Sequence, residues 1–292
     1  MNDSQSKTSD NNSSNKEKDF RGKKILPIKT VEQLVTSYFI AEVILEIREV
    51  LEEEVIDIGM KNIPSLDIPK TFPEKQLLED LYHQAAALIK FKPEFVYSFK
   101  LAFEEMVKSN FKDDPSIFSY AVNDTSHLKK AFGNDGFKYL EKISLFEHTI
   151  NVLNKAILLY QAMDRQIGLD VAIIASVLHD FGKSKPIRER LLGSQAANNK
   201  RIYKAHAEVS AMYVTEILKP ELEKYFQNIP EVFERLDSYI ERLTFLVKEH
   251  HPSNAKFKRD PILNIVIQAD KKAREEEYKK IVKQQAKENS EI

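Results

Sequence analysis

A nearly unbroken apolar run, from Val171 through Leu178, leads straight into His179-Asp180 and then Phe181-Gly182-Lys183. That short stretch constrains the fold more than any other. Val171, Ala172, Ile173, Ile174, Val177 and Leu178 leave no polar stripe, so a helix built on them has to be enclosed on all sides. Its end carries an imidazole and a carboxylate into the same interior, where an unpaired carboxylate is costly or changes its protonation. The chain must therefore bring compensating groups to Asp180. Neighbouring side chains on a helix diverge by about 100°. Both reach one centre most easily where the helix unwinds, and Gly182 stands where a C-cap would end it.

The rest of the chain reads as helix after helix. Thr30 with Gln33 forms a capping-box pattern, followed by Ile40, Val43, Ile44, Ile47, Val50 and Leu51 at helical spacing as far as about Val55. Pro64, Pro69 and Pro73 make 59–73 an extended connector. Apolar periodicity predicts further helices at 74–90, 93–110, 138–164, 170–181, 203–218, 231–249 and 261–285, with Pro220, Pro230, Pro252 and Pro261 falling between them. The polar stretch 121–137, containing Asn134-Asp135-Gly136, reads as a loop with a short helix inside. Only 7 of 292 residues are Gly, which disfavours glycine-rich nucleotide loops and sheets with many tight turns. The expectation is an all-α protein. Residues 1–24, rich in Asn, Ser, Lys and Asp, read as a disordered tail rather than a signal peptide. No apolar run approaches the roughly 20 residues of a spanning helix, so we expect a cytoplasmic protein with no membrane association. The segment 25–136 reads as an N-terminal helical accessory region, 137–285 as the main domain and 286–292 as a flexible C-terminus.

One aromatic stretch needs a decision. Phe91, Phe95, Tyr97, Phe99 and Phe103 alternate with Lys90, Lys92 and Lys100, a pattern that can hold single-stranded nucleic acid. The helical spacing of Phe95, Phe99 and Phe103 favours a core face instead. Charge agrees: 44 Lys plus Arg against 45 Asp plus Glu gives a formal net charge of −1, which argues against binding nucleic acid by bulk electrostatics.

The chain has no Cys, so thiol nucleophiles, disulfides and sulfur-ligated metals are excluded and any metal must sit on His and carboxylates. Five of its seven His lie between 148 and 251: His148, His179, His206, His250 and His251. Asp180 adjoins one of them, and Asp270 lies beyond the last. Singly, each has an ordinary explanation as a core histidine or a helix C-cap. Together they would need five separate explanations within one helical segment. His83 and His127 stand outside this group, and we assign them no role.

In their order, His148, His179-Asp180, His206, His250-His251 and Asp270 resemble the HD-domain metal-dependent phosphohydrolases, over roughly 137–285. The extra histidines are similar to those of HD-GYP cyclic-di-nucleotide phosphodiesterases, of membrane-tethered cyclic-di-AMP phosphodiesterases and of diadenosine-tetraphosphate hydrolases of the same fold. After His250-His251, however, the chain reads Pro252-Ser253-Asn254-Ala255-Lys256, with no Gly-Tyr-Pro. Ser144 stands four residues before His148, where some of that group carry a third-metal Glu, and Glu147 would point to another face of the helix. Two metals are thus expected rather than three.

The resemblance implies an HD-type helical bundle with two divalent transition-metal ions. One would take His148, His179, Asp180 and Asp270. Asp180 would bridge to a second held by His206, His250 and His251. An imidazole-rich set suits Fe, Mn or Zn over Mg, and Fe or Mn is expected. The implied reaction is hydrolysis of a phosphoester or phosphoanhydride of a nucleotide, with a cyclic dinucleotide or other signalling nucleotide as the leading substrate, by a hydroxide bridging the metals. Asp180 and Lys183 are the expected catalytic residues, with Lys183 meeting a phosphate oxygen. Lys185, Arg188 and Arg190, and more weakly Lys271 and Arg274, are candidates for steering a small phosphorylated nucleotide. Two other readings stay open: an HD-like binding or regulatory module without catalysis, and a nucleic-acid-processing HD protein.

Overall fold

The computed structural model describes residues 63–90, 92–117, 140–163, 170–198, 205–251 and 260–290, with side chains as far as 283. All lie in the compact unit Val55–Ile292; the other unit, Met1–Glu54, is outside the described residues. The expected tail, the helix opening at Thr30, the loop 121–137, Phe91, His127 and Pro252 also fall outside them.

The architecture is all-α. In chain order the helices are α1 (Lys75–Leu88), α2 (Pro93–Lys108), α3 (Leu145–Gln161), α4 (Asp170–Leu178), α5 (Lys185–Leu192), α6 (Ser194–Ala197), α7 (His206–Tyr213), α8 (Lys219–Phe226), α9 (Pro230–Lys248) and α10 (Pro261–Ser290). A 3₁₀ turn, Phe181–Lys183, follows α4, and a π-helical turn, Val214–Leu218, joins α7 to α8. Among the described residues there is no strand, only an isolated bridge between Pro115 and Ser144.

Helix α4 is the axis. Every residue of it is buried, and α2, α3, α9 and α10 pack around it. Ile173, Ile174, Val177 and Leu178 are fully shielded, each burial worth about 1.5–3 kcal/mol. The aromatic face of α2 belongs to this same core: Phe99 and Phe103 are fully buried, and Phe95 packs on Tyr239 of α9 with ring centroids 4.6 Å apart. The Tyr239 hydroxyl donates to Ser98 Oγ at 2.9 Å. Lys92 pairs with Asp170 and Lys100 with Glu104. These lysines neutralise carboxylates, as a core face bordered by ion pairs requires.

Three local features differ from the sequence expectation. Helix α3 begins at Leu145, not near 138, because Ser144 is in extended conformation and its hydroxyl accepts the Glu147 N–H at 3.1 Å. Ser144 and Glu147 are a Ser-x-x-Glu pair at a helix start. Pro220 does not separate two helices: Leu218 and Lys219 keep helical angles into α8. The π turn just before it offers a looser ladder that tolerates the missing N–H and the bulk of the ring. Finally, α4 ends at Leu178 and Gly182 lies within the 3₁₀ turn, without the positive φ of a glycine C-cap.

Gly182 is needed for a different reason. A Cβ there would come within 2.1 Å of the His206 carbonyl oxygen and 2.9 Å of the Ser210 nitrogen. Its absence lets the start of α7 press directly against the turn that follows Asp180, and the Gly182 N–H donates to Ser210 Oγ at 2.8 Å. Gly182→Ala is expected to lower stability by about 1–3 kcal/mol, read as a shift in the urea midpoint. An unchanged midpoint would show that the contact is not tight.

Candidate metal centre

Helix ends deliver most of the site. His179 and Asp180 follow the last turn of α4, His206 is the first residue of α7, and His250-His251 follow the last turn of α9. His148 comes from the second turn of α3 and Asp270 from within α10. At a helix C-terminus the final carbonyls lack intrahelical partners, and two of the histidines use them. His179 Nδ1 donates to Ser176 O at 2.8 Å and His250 Nδ1 to Val247 O at 2.6 Å. Each bond places a proton on Nδ1 and turns Nε2 inward.

Asp180 is the meeting point. It is 2% exposed, and its two oxygens face different histidines. Oδ2 lies 3.2 Å from His179 Nε2 and 3.5 Å from His148 Nε2. Oδ1 lies 3.2 Å from His206 Nε2 and 3.9 Å from His250 Nε2. His206 Nε2 and His251 Nε2 approach to 2.9 Å, and Asp270 Oδ1 stands 3.2 Å from His148 Nε2. The structure thus gathers the other six residues into one cluster about the Asp180 carboxylate. His148, His179 and Asp180 form one set of closely spaced potential ligand atoms, and His206, His250 and His251 form another.

Several of these atoms are buried without a hydrogen-bond partner: His148 Nε2, His179 Nε2 and Asp180 Oδ1. Buried polar atoms are nearly always satisfied, so three converging orphans of ligand type fit a cation. The electrostatics agree. Burial, reinforced by His251 and His179, holds His250 well below the ordinary histidine range. Burial and then His206 bring His251 down to about 3. Both imidazoles are therefore neutral, the form that ligates metal. Burial alone would raise Asp180, but His179 and Lys183 hold it well below the usual carboxylate range.

The surroundings hold groups that spacing did not reveal. Glu277, 2% exposed, sits one and two turns beyond Arg274 and Asp270 on α10 and accepts from His148 Nδ1 at 2.9 Å. Asn151 Nδ2 also donates to it at 2.9 Å. The only sequence signal for Glu277 is its 3.6-residue phase with Asp270 and Ala273, hidden among many exposed charges on the same helix. Arg274 does not line a substrate path: it is buried, donating to Ser116 Oγ at 2.8 Å, Ser116 O at 3.1 Å and Glu277 Oε2 at 3.1 Å. Arg188 is likewise no steering cation. It is fully buried and donates to the carbonyls of Gly182, Lys183 and Ala197. Arg190 pairs with Glu105 at 2.9 Å, and exposed Lys185 lies 3.9 Å from Glu189. Lys271 is exposed, as is His83 on α1. Lys183 Nζ reaches Asp180 Oδ2 at 2.6 Å.

An all-α core around a buried aspartate flanked by two histidine groups places two sets of side chains that could each hold a metal ion. Residues 145–288 match the HD domain family, and this segment of the chain is an HD domain of the metal-dependent phosphohydrolase superfamily. No curated protein and no solved structure matches the chain. Among the described residues no helix is long and apolar enough to cross a membrane.

The depressed histidines also set the stability of the metal-free protein. Once unfolded, His250 and His251 take up protons below their ordinary value of about 6.5, whereas the folded chain keeps them neutral. Stability is then complete above about 6.5 and falls as pH drops toward the folded values, by up to about 1.4 kcal/mol per pH unit for each group. Chelated protein is expected to unfold at lower urea at pH 5 than at pH 7, with His251→Asn reducing the difference. Against the effect of burial, Glu277 and Asp270 raise His148, which acts in the opposite direction, so a pH difference that His251→Asn leaves unchanged would contradict a buried neutral His251.

Proposed function

We propose that the protein is a metal-dependent phosphohydrolase acting on a phosphoester or phosphoanhydride bond of a nucleotide, with cyclic dinucleotides and other signalling nucleotides as the leading substrate class. One observation carries this reading: the two oxygens of Asp180 face two separate sets of inward-turned imidazoles. HD domains bind divalent metals and are generally hydrolases, and the match to that family supports the reading.

His148, His179 and Asp270 would hold one ion, and His206, His250 and His251 the other, with Asp180 between them. The nitrogen-rich donor set favours Fe or Mn. When bound, such a pair supplies Lewis acidity, acidifying water and neutralising phosphoryl charge. The chain's own residues do the rest. His148 and His179 are fully shielded, whereas the Asp270 side chain is 27% exposed. A phosphate would therefore approach past Asp270 and His251, the open side of the cluster. Lys183, beside Asp180, is placed to donate to a phosphoryl oxygen there. With a net charge of −1, attraction for a phosphorylated ligand would be local to this centre, which suits a small molecule better than a polynucleotide.

The test is hydrolysis across a panel of cyclic dinucleotides, cyclic mononucleotides, dinucleoside polyphosphates, deoxynucleotides and oligonucleotides, using Fe- or Mn-loaded protein. Asp180→Ala is expected to remove activity by at least about a thousandfold and metal retention with it. His83→Ala should leave both intact. Absence of hydrolysis anywhere in the panel by protein shown to carry metal would contradict the proposal and favour a binding module.

A further inference from the structure

The two halves of the centre are not held alike. His179 and His250 are oriented by neutral backbone carbonyls of their own helices. His148 lies near the start of α3, where the carbonyls of its turn are engaged within the helix, and its Nδ1 meets the carboxylate of Glu277 from α10. Glu277 in turn is fixed by Asn151 from α3 and by Arg274, which is anchored to Ser116. All of Glu277, Arg274 and His148 are buried. Leu263, Val266, Ala269 and Ala273 hold α10 to the core alongside this network.

We propose that Glu277 is a positioning residue for one of the two metal positions. It fixes the tautomer of His148 so that Nε2 faces Asp180 and Asp270, and its negative charge makes that imidazole a stronger donor than its backbone-oriented counterparts. Asn151 and Arg274 keep the carboxylate in place. The inference rests on the two-metal reading of the site and adds to it an asymmetry: loss of Glu277 weakens the position built on His148, His179 and Asp270 and spares the one built on His206, His250 and His251. The physical basis is general. A carboxylate behind a ligating histidine sets ring orientation and basicity, and its removal lowers metal affinity by about 10–100-fold.

The experiment is a calorimetric titration of chelated full-length protein with Mn²⁺ alone. Wild-type protein should take up two equivalents. Glu277→Gln, which keeps an acceptor for Nδ1–H but loses the charge, should keep one equivalent unchanged and weaken the other by about 10–100-fold. Asn151→Ala removes a single bond to Glu277 and should weaken the same equivalent to a smaller extent, which covers the case of a Glu277 variant that fails to fold. The unaffected equivalent is an internal control for folding, checked further by circular dichroism. Two unchanged equivalents in Glu277→Gln, or equal weakening of both in a folded variant, would overturn the role of Glu277 alone. Wild-type protein that takes up no Mn²⁺ would contradict the two-metal reading as well.

Discussion

Everything else in the molecule follows from placing one carboxylate, Asp180, in a hydrophobic interior. A helix as apolar as α4 can only end inside the protein, and the group at its end must be compensated from outside that helix. The compensation from other elements comes from α3, α7 and the segment after α9, each contributing an imidazole. Lys183 and Arg274 also approach it, at 2.6 and 3.9 Å. These groups offset the charge without saturating the ligand atoms, and the residual orphans are what distinguishes the interior of this bundle from a fully paired salt-bridge network.

The local devices that make this possible are modest. Helices α4 and α9 end one and two residues before His179 and His250, which lets each ring bond back to its own last turn. Gly182 removes a side chain where α7 crosses the turn, so His206 can come close to Asp180. Arg188, which carries charge but no solvent exposure, holds the carbonyls of Gly182 and Lys183 and stiffens the same turn. The site is thus supported from behind by side chains and backbone that never face a substrate.

Much of this was legible in the sequence because helical periodicity and burial are local signals. The run 171–178 announced a buried helix, and Phe95, Phe99 and Phe103 announced a core face. The ligand candidates were legible as a group, since histidines are few and cysteine is absent. What stayed hidden depends on tertiary neighbours. Arg188 and Arg274 look like surface cations until the structure shows carbonyls and Ser116 enclosing them. Glu277 is indistinguishable from Glu275 and Glu276 by composition, and only the orientation of α10 against α3 turns it toward His148. Ser144 was assessed as a missing ligand when its role is to cap α3, a reading that Glu147 three residues later already supported.

The central claim is that Asp180 is shared between two cations. The most direct test is anomalous diffraction from crystals of Mn-loaded protein. The account predicts two anomalous peaks, one bounded by His148, His179 and Asp270 and the other by His206, His250 and His251, with one Asp180 oxygen directed at each. A single peak, or two peaks of which only one is touched by Asp180, would contradict it.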